Sequence, residues 1–257
     1  MSTLTLAARD SSTMVRRQLK RLIRYPSMTI QLVITPVILL LLFVYVFGGT
    51  LGAGLGGGRG TYVNYVLPGI LLMAVATAAT GTAVMVATDM TEGIIARFRT
   101  MRISRASVLT GHVVGAVIQQ LLGIAVLTGV ALAIGFRPNA TAVEWLAAAG
   151  LLTLFALAIT WLAVALGLKA QTPESASNAP MPLILLPFLG SGFVPTDSMP
   201  TVLRWFAEYQ PFTPIMQTIR GLLLGNPIDN NAAIATAWCT GIAIVSYLWA
   251  KNTFNKA

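Results

Sequence analysis

Three side chains are the first candidates for chemistry in this sequence: Ser191, set between Gly190 and Gly192, the single histidine His112, and the single cysteine Cys239. A serine hydrolase working inside a membrane would need a Ser–His hydrogen bond to activate the hydroxyl. One cysteine and one histidine can close neither an intrachain disulfide nor a multi-ligand Cys/His metal site. ATP chemistry would need Gly-Lys ahead of Ser or Thr, so that backbone amides and the ammonium together hold phosphates. The four lysines follow Leu19, Leu168, Ala250 and Asn255, so the chain has no such pair. The expectation is therefore no catalytic residue, no metal ligand and no cofactor on this chain.

The elements that would position these residues are membrane helices. Hydrophobic residues make up 56% of the 257, charged residues only 10%, and the mean hydropathy is +0.76, against roughly 25% charged in a soluble domain. Six apolar runs without internal acids read as spans, over 29–47, 63–88, 108–135, 145–168, 176–194 and 232–249. Each is near the ~20 residues that cross a bilayer. They leave no room for a separate soluble domain, so 1–257 reads as a single transmembrane domain: an amphipathic segment over 1–28, spans over 29–249, and a tail over 250–257. The first run follows a basic stretch, as in a secretory signal, but its 19 residues exceed a signal's apolar core and a Gly-rich stretch replaces a cleavage site. It reads as an uncleaved span, and Gly48 to Gly60 as a flexible outer loop.

A net charge of +9 and a pI near 10.3 would raise nucleic-acid binding in a soluble protein. Here the placement of the bases explains them, and no nucleic-acid partner is expected. Thirteen of the 17 bases fall before span one, after spans two and four, and after span six, leaving Arg59, Arg137, Arg204 and Arg220 on the other side. The positive-inside rule then puts both termini in the cytoplasm. On that topology His112 is near the cytoplasmic end of span three and Ser191 near the outer end of span five, separated by something approaching the ~30 Å core. That excludes the dyad.

Between Thr13 and Arg24, Val15, Leu19, Leu22 and Ile23 fall on one helical face and Arg16, Arg17, Lys20, Arg21 and Arg24 on the other. Such a helix lies in the headgroup plane, with its bases on anionic lipid or on a cytoplasmic partner. The loop from Asp89 to Arg105 carries both acids, four bases and a stripe of Ile94, Ile95, Phe98 and Met101. A short helix of that kind rests on lipid or inserts into a groove of another protein.

This loop resembles that of the ABC-2 family of ABC-transporter permeases, in particular small actinobacterial drug exporters of the daunorubicin/doxorubicin-resistance type. The matching residues are Glu92-Gly93, Arg97-Phe98-Arg99, Met101, Ser104-Arg105 and Gly111, with Arg102 where many relatives have proline. A second block agrees: Leu189 to Pro195, Met199-Pro200, Leu203-Arg204-Trp205, Pro211 to Pro214 and Ile219-Arg220-Gly221. The resemblance implies an all-α integral membrane fold of six spans with an N-terminal interfacial helix, a cytoplasmic coupling helix and a broken reentrant segment before the last span. It also implies an ABC-type ATP-binding subunit in two copies, which carries ATP and Mg, and a second copy of this or a related permease. Coupling is then expected at Glu92, Gly93, Arg97, Phe98, Arg99 and Met101, supported by Arg16, Arg17, Lys20 and Arg21.

From Pro195 to Asn231, prolines at 195, 200, 211 and 214 divide the outer segment into two pieces. Val202, Leu203, Phe206 and Ala207 make the first piece amphipathic, with Trp205 and Tyr209 suited to the interface. Within span three, Gln119 and Gln120 form a mid-membrane polar pair that either bonds between helices or meets substrate or a partner copy. Gly111 and Gly115, four apart on the same span, and Pro36, Pro68, Pro182 and Pro187 are read as packing and kinking residues. A substrate path is expected at Gln119, Gln120, Phe193 and Pro195, carrying an amphiphilic small molecule, with lipids around the whole. No acid or base stands inside a span except at its ends, which disfavours an ion-coupled carrier. An ATP-independent carrier or channel remains the competing reading, and a non-transporting membrane anchor the third.

Overall fold

The computed structural model describes residues 26–91 and 105–256, and no strand occurs among them. The expected N-terminal interfacial helix and most of the cytoplasmic loop lie outside the described residues. The first apolar run begins as α1 (Pro26–Leu42), widens to a π-helical turn (Phe43–Phe47) and continues as α2 (Gly48–Gly54). The long helices α3 (Arg59–Thr91), α4 (Arg105–Ala133) and α5 (Ala142–Lys169) follow. Two short helices, α6 (Pro173–Asn178) and α7 (Met181–Leu185), lead through turns to α8 (Thr201–Tyr209), α9 (Phe212–Leu224) and the last long helix α10 (Asn231–Lys256).

Among the described residues, five helical stretches are long and apolar enough to cross a membrane: Leu32–Gly54, Arg59–Thr91, Val113–Ala133, Ala142–Lys169 and Asn231–Phe254. The Gly-rich stretch expected as a loop is mostly helix. Only residues 55–58 turn, where Gly57 N–H donates to Gly52 O at 2.9 Å. The expected tail also differs, since α10 continues through Lys256.

α3 is the core helix, touching α1, α2, α4, α5, α6, α7 and α9. Its most apolar window is 61% buried, against 17% for that of α10, which turns most of its surface outward. Small residues let α3 and α5 approach closely: a side chain at Gly167 would fall 2.5 Å from Ala83 O. α5 is fixed at its start by a capping box, in which Glu144 Oε2 accepts from Thr141 N–H at 2.6 Å and Glu144 N–H donates to Thr141 Oγ1. Lys169 in its last turn complements the helix dipole. α10 packs along α5, with the Trp161 and Tyr247 rings edge to face at 5.0 Å and Lys169 Nζ above the Trp249 ring.

The expected fifth span, 176–194, is not a continuous helix. Prolines 173, 180, 182 and 187 remove the N–H groups a helix would need, and Gly190 and Gly192 follow. The segment nevertheless traverses the bundle. Gly167, just before it, lies against Ala83 and Val86 of α3, whereas Gly192 lies against Gly69. That is an advance of ~21 Å along α3. A side chain on Gly69 would come within 2.7 Å of Gly192 O, so two backbones meet there and only glycine allows it.

Candidate functional site: a broken crossing clamped by a reentrant helix pair

Irregular backbone within a membrane must find its hydrogen bonds in the protein. In the broken crossing, side chains of neighbouring elements supply many of them. Tyr62 Oη donates to Phe193 O at 3.3 Å, and Gln210 Nε2 donates to Leu186 O at 3.1 Å. Ser191 N–H donates to Thr213 Oγ1, and Ser191 O accepts from Arg220 Nη2 at 2.9 Å. An aromatic cluster adds to these: Phe188 and Phe193 stack at 4.3 Å, and Phe43 of the π-helical turn lies 4.5 Å from Phe193. The first and fifth crossings are joined there.

α8 and α9 are the two pieces that the prolines predicted. α9 starts at the level of Phe155, whose ring meets that of Phe212 edge to face at 5.2 Å. It ends where Asn139 N–H donates to Leu223 O at 3.0 Å, in the connection before α5. Thirteen residues of helix rise ~20 Å, so the turn at Gln210 and Pro211 sits well within the bundle and the pair returns to the end it came from. Gln210 holds that turn with its whole amide, since Oε1 accepts from Phe212 N–H while Nε2 serves Leu186 and Thr213. Gly225, at φ +75°, closes α9 by donating to Gly221 O.

Of Val202, Leu203, Phe206 and Ala207, only Ala207 is buried; Val202 is 84% and Trp205 65% exposed. The apolar face of α8 is turned away from the bundle, as on a helix that meets lipid. Arg204 on the same helix is bridged by Asp197 at 2.7 Å and Glu208 at 2.8 Å.

Arg220, counted from sequence among the bases of the outer side, is buried, at 4% exposed. Nη2 donates to Tyr65 O at 3.0 Å and to Ser191 O, Nη1 donates to Gln217 Oε1, and the guanidinium lies 4.0 Å over the Tyr65 ring. No ion pair involving it forms among the described residues. This one side chain ties α9 to both α3 and the broken crossing. The signal available in the sequence is its setting beside the buried stripe Ile215, Ile219 and Leu223.

The expected path residues do not converge. Phe193 is buried in the aromatic cluster beside Tyr62, and half-buried Pro195 begins the turn at Thr196–Ser198, its carbonyl accepting from Ser198. Gln120 is buried elsewhere, beside Ala74, Val75 and Ala78 at the middle of α3, with Nε2 donating to Thr160 Oγ1 of α5 at 3.0 Å. Gln119 is half-buried next to it. The expected coupling residues Arg16, Arg17, Lys20, Arg21, Glu92, Gly93, Arg97, Phe98, Arg99 and Met101 lie outside the described residues. His112 falls in the second turn of α4, ~32 Å along that helix from its far end. Arg137, just past that end, donates its N–H to Asn64 Oδ1 near the start of α3, and Ser191 lies on the same side of the bundle. The two positions therefore stand at opposite ends of the bundle.

A bundle of crossing helices, one broken crossing and an inward-dipping helix pair define a polytopic membrane protein built around a transport-type core. The profile of the ABC-2 type transporter family matches residues 10–224, and the chain belongs to that family. It is 29% identical over 203 residues to the daunorubicin resistance ABC transporter permease protein DrrB1 of Streptomyces coeruleorubidus, covering 78% of this chain and 70% of that one. It is 24% identical over 180 residues to the probable doxorubicin resistance ABC transporter permease protein DrrC of Mycobacterium tuberculosis, covering 70% of this chain and 65% of that protein.

Proposed function

We propose that this chain is the permease subunit of an ATP-driven exporter that moves an amphiphilic drug, natural product or lipid-like molecule out across a bacterial cytoplasmic membrane. The observation that carries this reading is the family match over residues 10–224, joined to a sequence with no Gly-Lys pair to hold nucleotide phosphates. ATP and Mg then belong to a separate ATP-binding subunit. Two permease copies pair, and two such subunits grip them from the cytoplasm. The docking surface is the loop around Glu92, Gly93, Arg97, Phe98, Arg99 and Met101, with Arg16, Arg17, Lys20 and Arg21 beside it. The placement of bases supports cytoplasmic termini, because Lys169 and the end of α10 share one end of the bundle. Hydrolysis draws the two coupling loops together and alternates the exposure of the path.

Charge reversal at two sites tests the docking surface. The double variant Arg97→Glu/Arg99→Glu is expected to insert normally yet lose ATP-dependent efflux and retention of the ATP-binding subunit on purification. Unchanged efflux and retention would remove these residues from the coupling role.

A further inference from the structure

Gln120 is built as a fixed, unanswered hydrogen-bond acceptor in mid-membrane. The Thr160 hydroxyl donates to Ala156 O at 2.6 Å, so toward Gln120 it can only accept. The amide must therefore present Nε2 to Thr160, which it does at 3.0 Å. That leaves Oε1 committed to the other direction, buried and without a hydrogen-bond partner among the described residues. Interhelical adhesion accounts for the Nε2 bond and leaves Oε1 unexplained, and a bare buried acceptor is unfavourable.

Gln120 lines a cavity of about 10 Å³ between α1, α3 and α4, otherwise walled by apolar groups such as Val33, Pro36, Ala78 and Leu127. That volume takes a group the size of one water, yet a water is held well only by two to four polar partners. Among the lining residues Gln120 is the one with a polar side chain. Oε1 itself is closed to a water-sized group in this conformation, so a donor carried on an apolar body reaches it as the seam between α1 and α4 opens. Beside the cavity the seam between α1 and α4 is thinly packed: a side chain on Gly123 would meet only Val33, at 3.8 Å. Ile34 and Ile38 of α1 and Leu122 and Val126 of α4 flank it, each about half exposed, on the apolar outer surface.

We propose that Gln120 Oε1 is a specificity determinant for the transported amphiphile: it receives a hydroxyl or amino N–H of a molecule entering from the bilayer through the seam between α1 and α4. This deepens the permease reading and rests on it for its physiological meaning.

Two cationic dyes isolate the donor. Rhodamine 123 carries amino N–H groups, whereas tetramethylrhodamine methyl ester has each of them replaced by N-methyl. Equilibrium binding of both to the full chain in lipid nanodiscs is read by fluorescence anisotropy. The unaltered chain is expected to prefer rhodamine 123. Gln120→Leu weakens that dye alone by about tenfold or more, the worth of one hydrogen bond from a charged donor, and leaves the methylated dye within about twofold. Gln120→Glu keeps a carbonyl acceptor and the preference. No preference in the unaltered chain, equal weakening of both dyes by Gln120→Leu, or loss of the preference in Gln120→Glu overturns the proposal. Binding is read without nucleotide or a second subunit. A chain that discriminates the dyes but is not driven by ATP would thus refute the permease reading and leave this site standing.

Discussion

Replacing Arg220 separates the worth of its hydrogen bonds from the worth of its charge. The guanidinium joins α9 to the Tyr65 and Ser191 carbonyls and stacks on the Tyr65 ring, with no carboxylate paired to it among the described residues. A hydrogen bond to a charged donor contributes about 1.5–3 kcal/mol, and a desolvated cation–π contact up to about 2 kcal/mol. Arg220→Lys keeps the charge in the same dry site but has no planar fork to reach both carbonyls and no face to lay on the ring. It forfeits one charged hydrogen bond and most of the stack, about 3 kcal/mol. Arg220→Met loses all of these contacts and leaves the Ser191 carbonyl bare, yet it also removes the cost of burying a charge, the effect that makes apolar replacements of buried ions mild. The net loss is about 1 kcal/mol. For a chain of this size 1 kcal/mol corresponds to about 2–4 °C in Tm. In detergent, Arg220→Lys is therefore expected to melt about 6–12 °C below the unaltered chain and Arg220→Met about 2–4 °C below it, read as the folded fraction eluting from a sizing column after heating. A methionine variant less stable than the lysine variant would refute the reasoning, because it would mean that the charge itself holds the site together.

Gly167→Ala places a methyl against the Ala83 carbonyl and Val86 and is expected to cost about 1–3 kcal/mol of overpacking, whereas Gly81→Ala, with nothing within 4 Å, leaves Tm unchanged or raises it; equal effects would contradict the close α3–α5 approach. Substituted cysteines in the Cys239→Ala background test orientation: Asn139→Cys and Asp229→Cys should react with an impermeant maleimide from outside the cell and Lys169→Cys only after the membrane is opened. The reverse pattern would invert the topology.

How far the fold could be read from the sequence follows from what hydropathy measures. Runs without internal charge located the helices that became α1, α3, α4, α5 and α10, because burial of apolar side chains in lipid depends on composition alone. The stretch 176–194 has the same composition and was read as a helix for that reason. Its prolines decide otherwise, and the cost is met by Tyr62, Gln210, Thr213 and Arg220, each bonded to a residue at least 22 positions away. The burial of Arg220 is hidden from the sequence for a related cause: its acceptors, the Tyr65 and Ser191 carbonyls, are 155 and 29 residues away, and no local pattern announces them. Gln120 stood out as a polar residue in an apolar span, but its orientation rests on the Thr160–Ala156 bond. The coupling residues sit in a basic loop with an apolar stripe that suits lipid and protein alike, and their proposed role is carried by family resemblance.

The central claim is that energy for transport comes from another polypeptide. Extracting the native assembly from its membranes in mild detergent, pulling on this chain and weighing what accompanies it tests that claim directly. The account predicts a soluble P-loop ATPase in stoichiometric amount; recovery of this chain without any ATPase, together with ion-gradient-driven flux through the pure chain in liposomes, would contradict it.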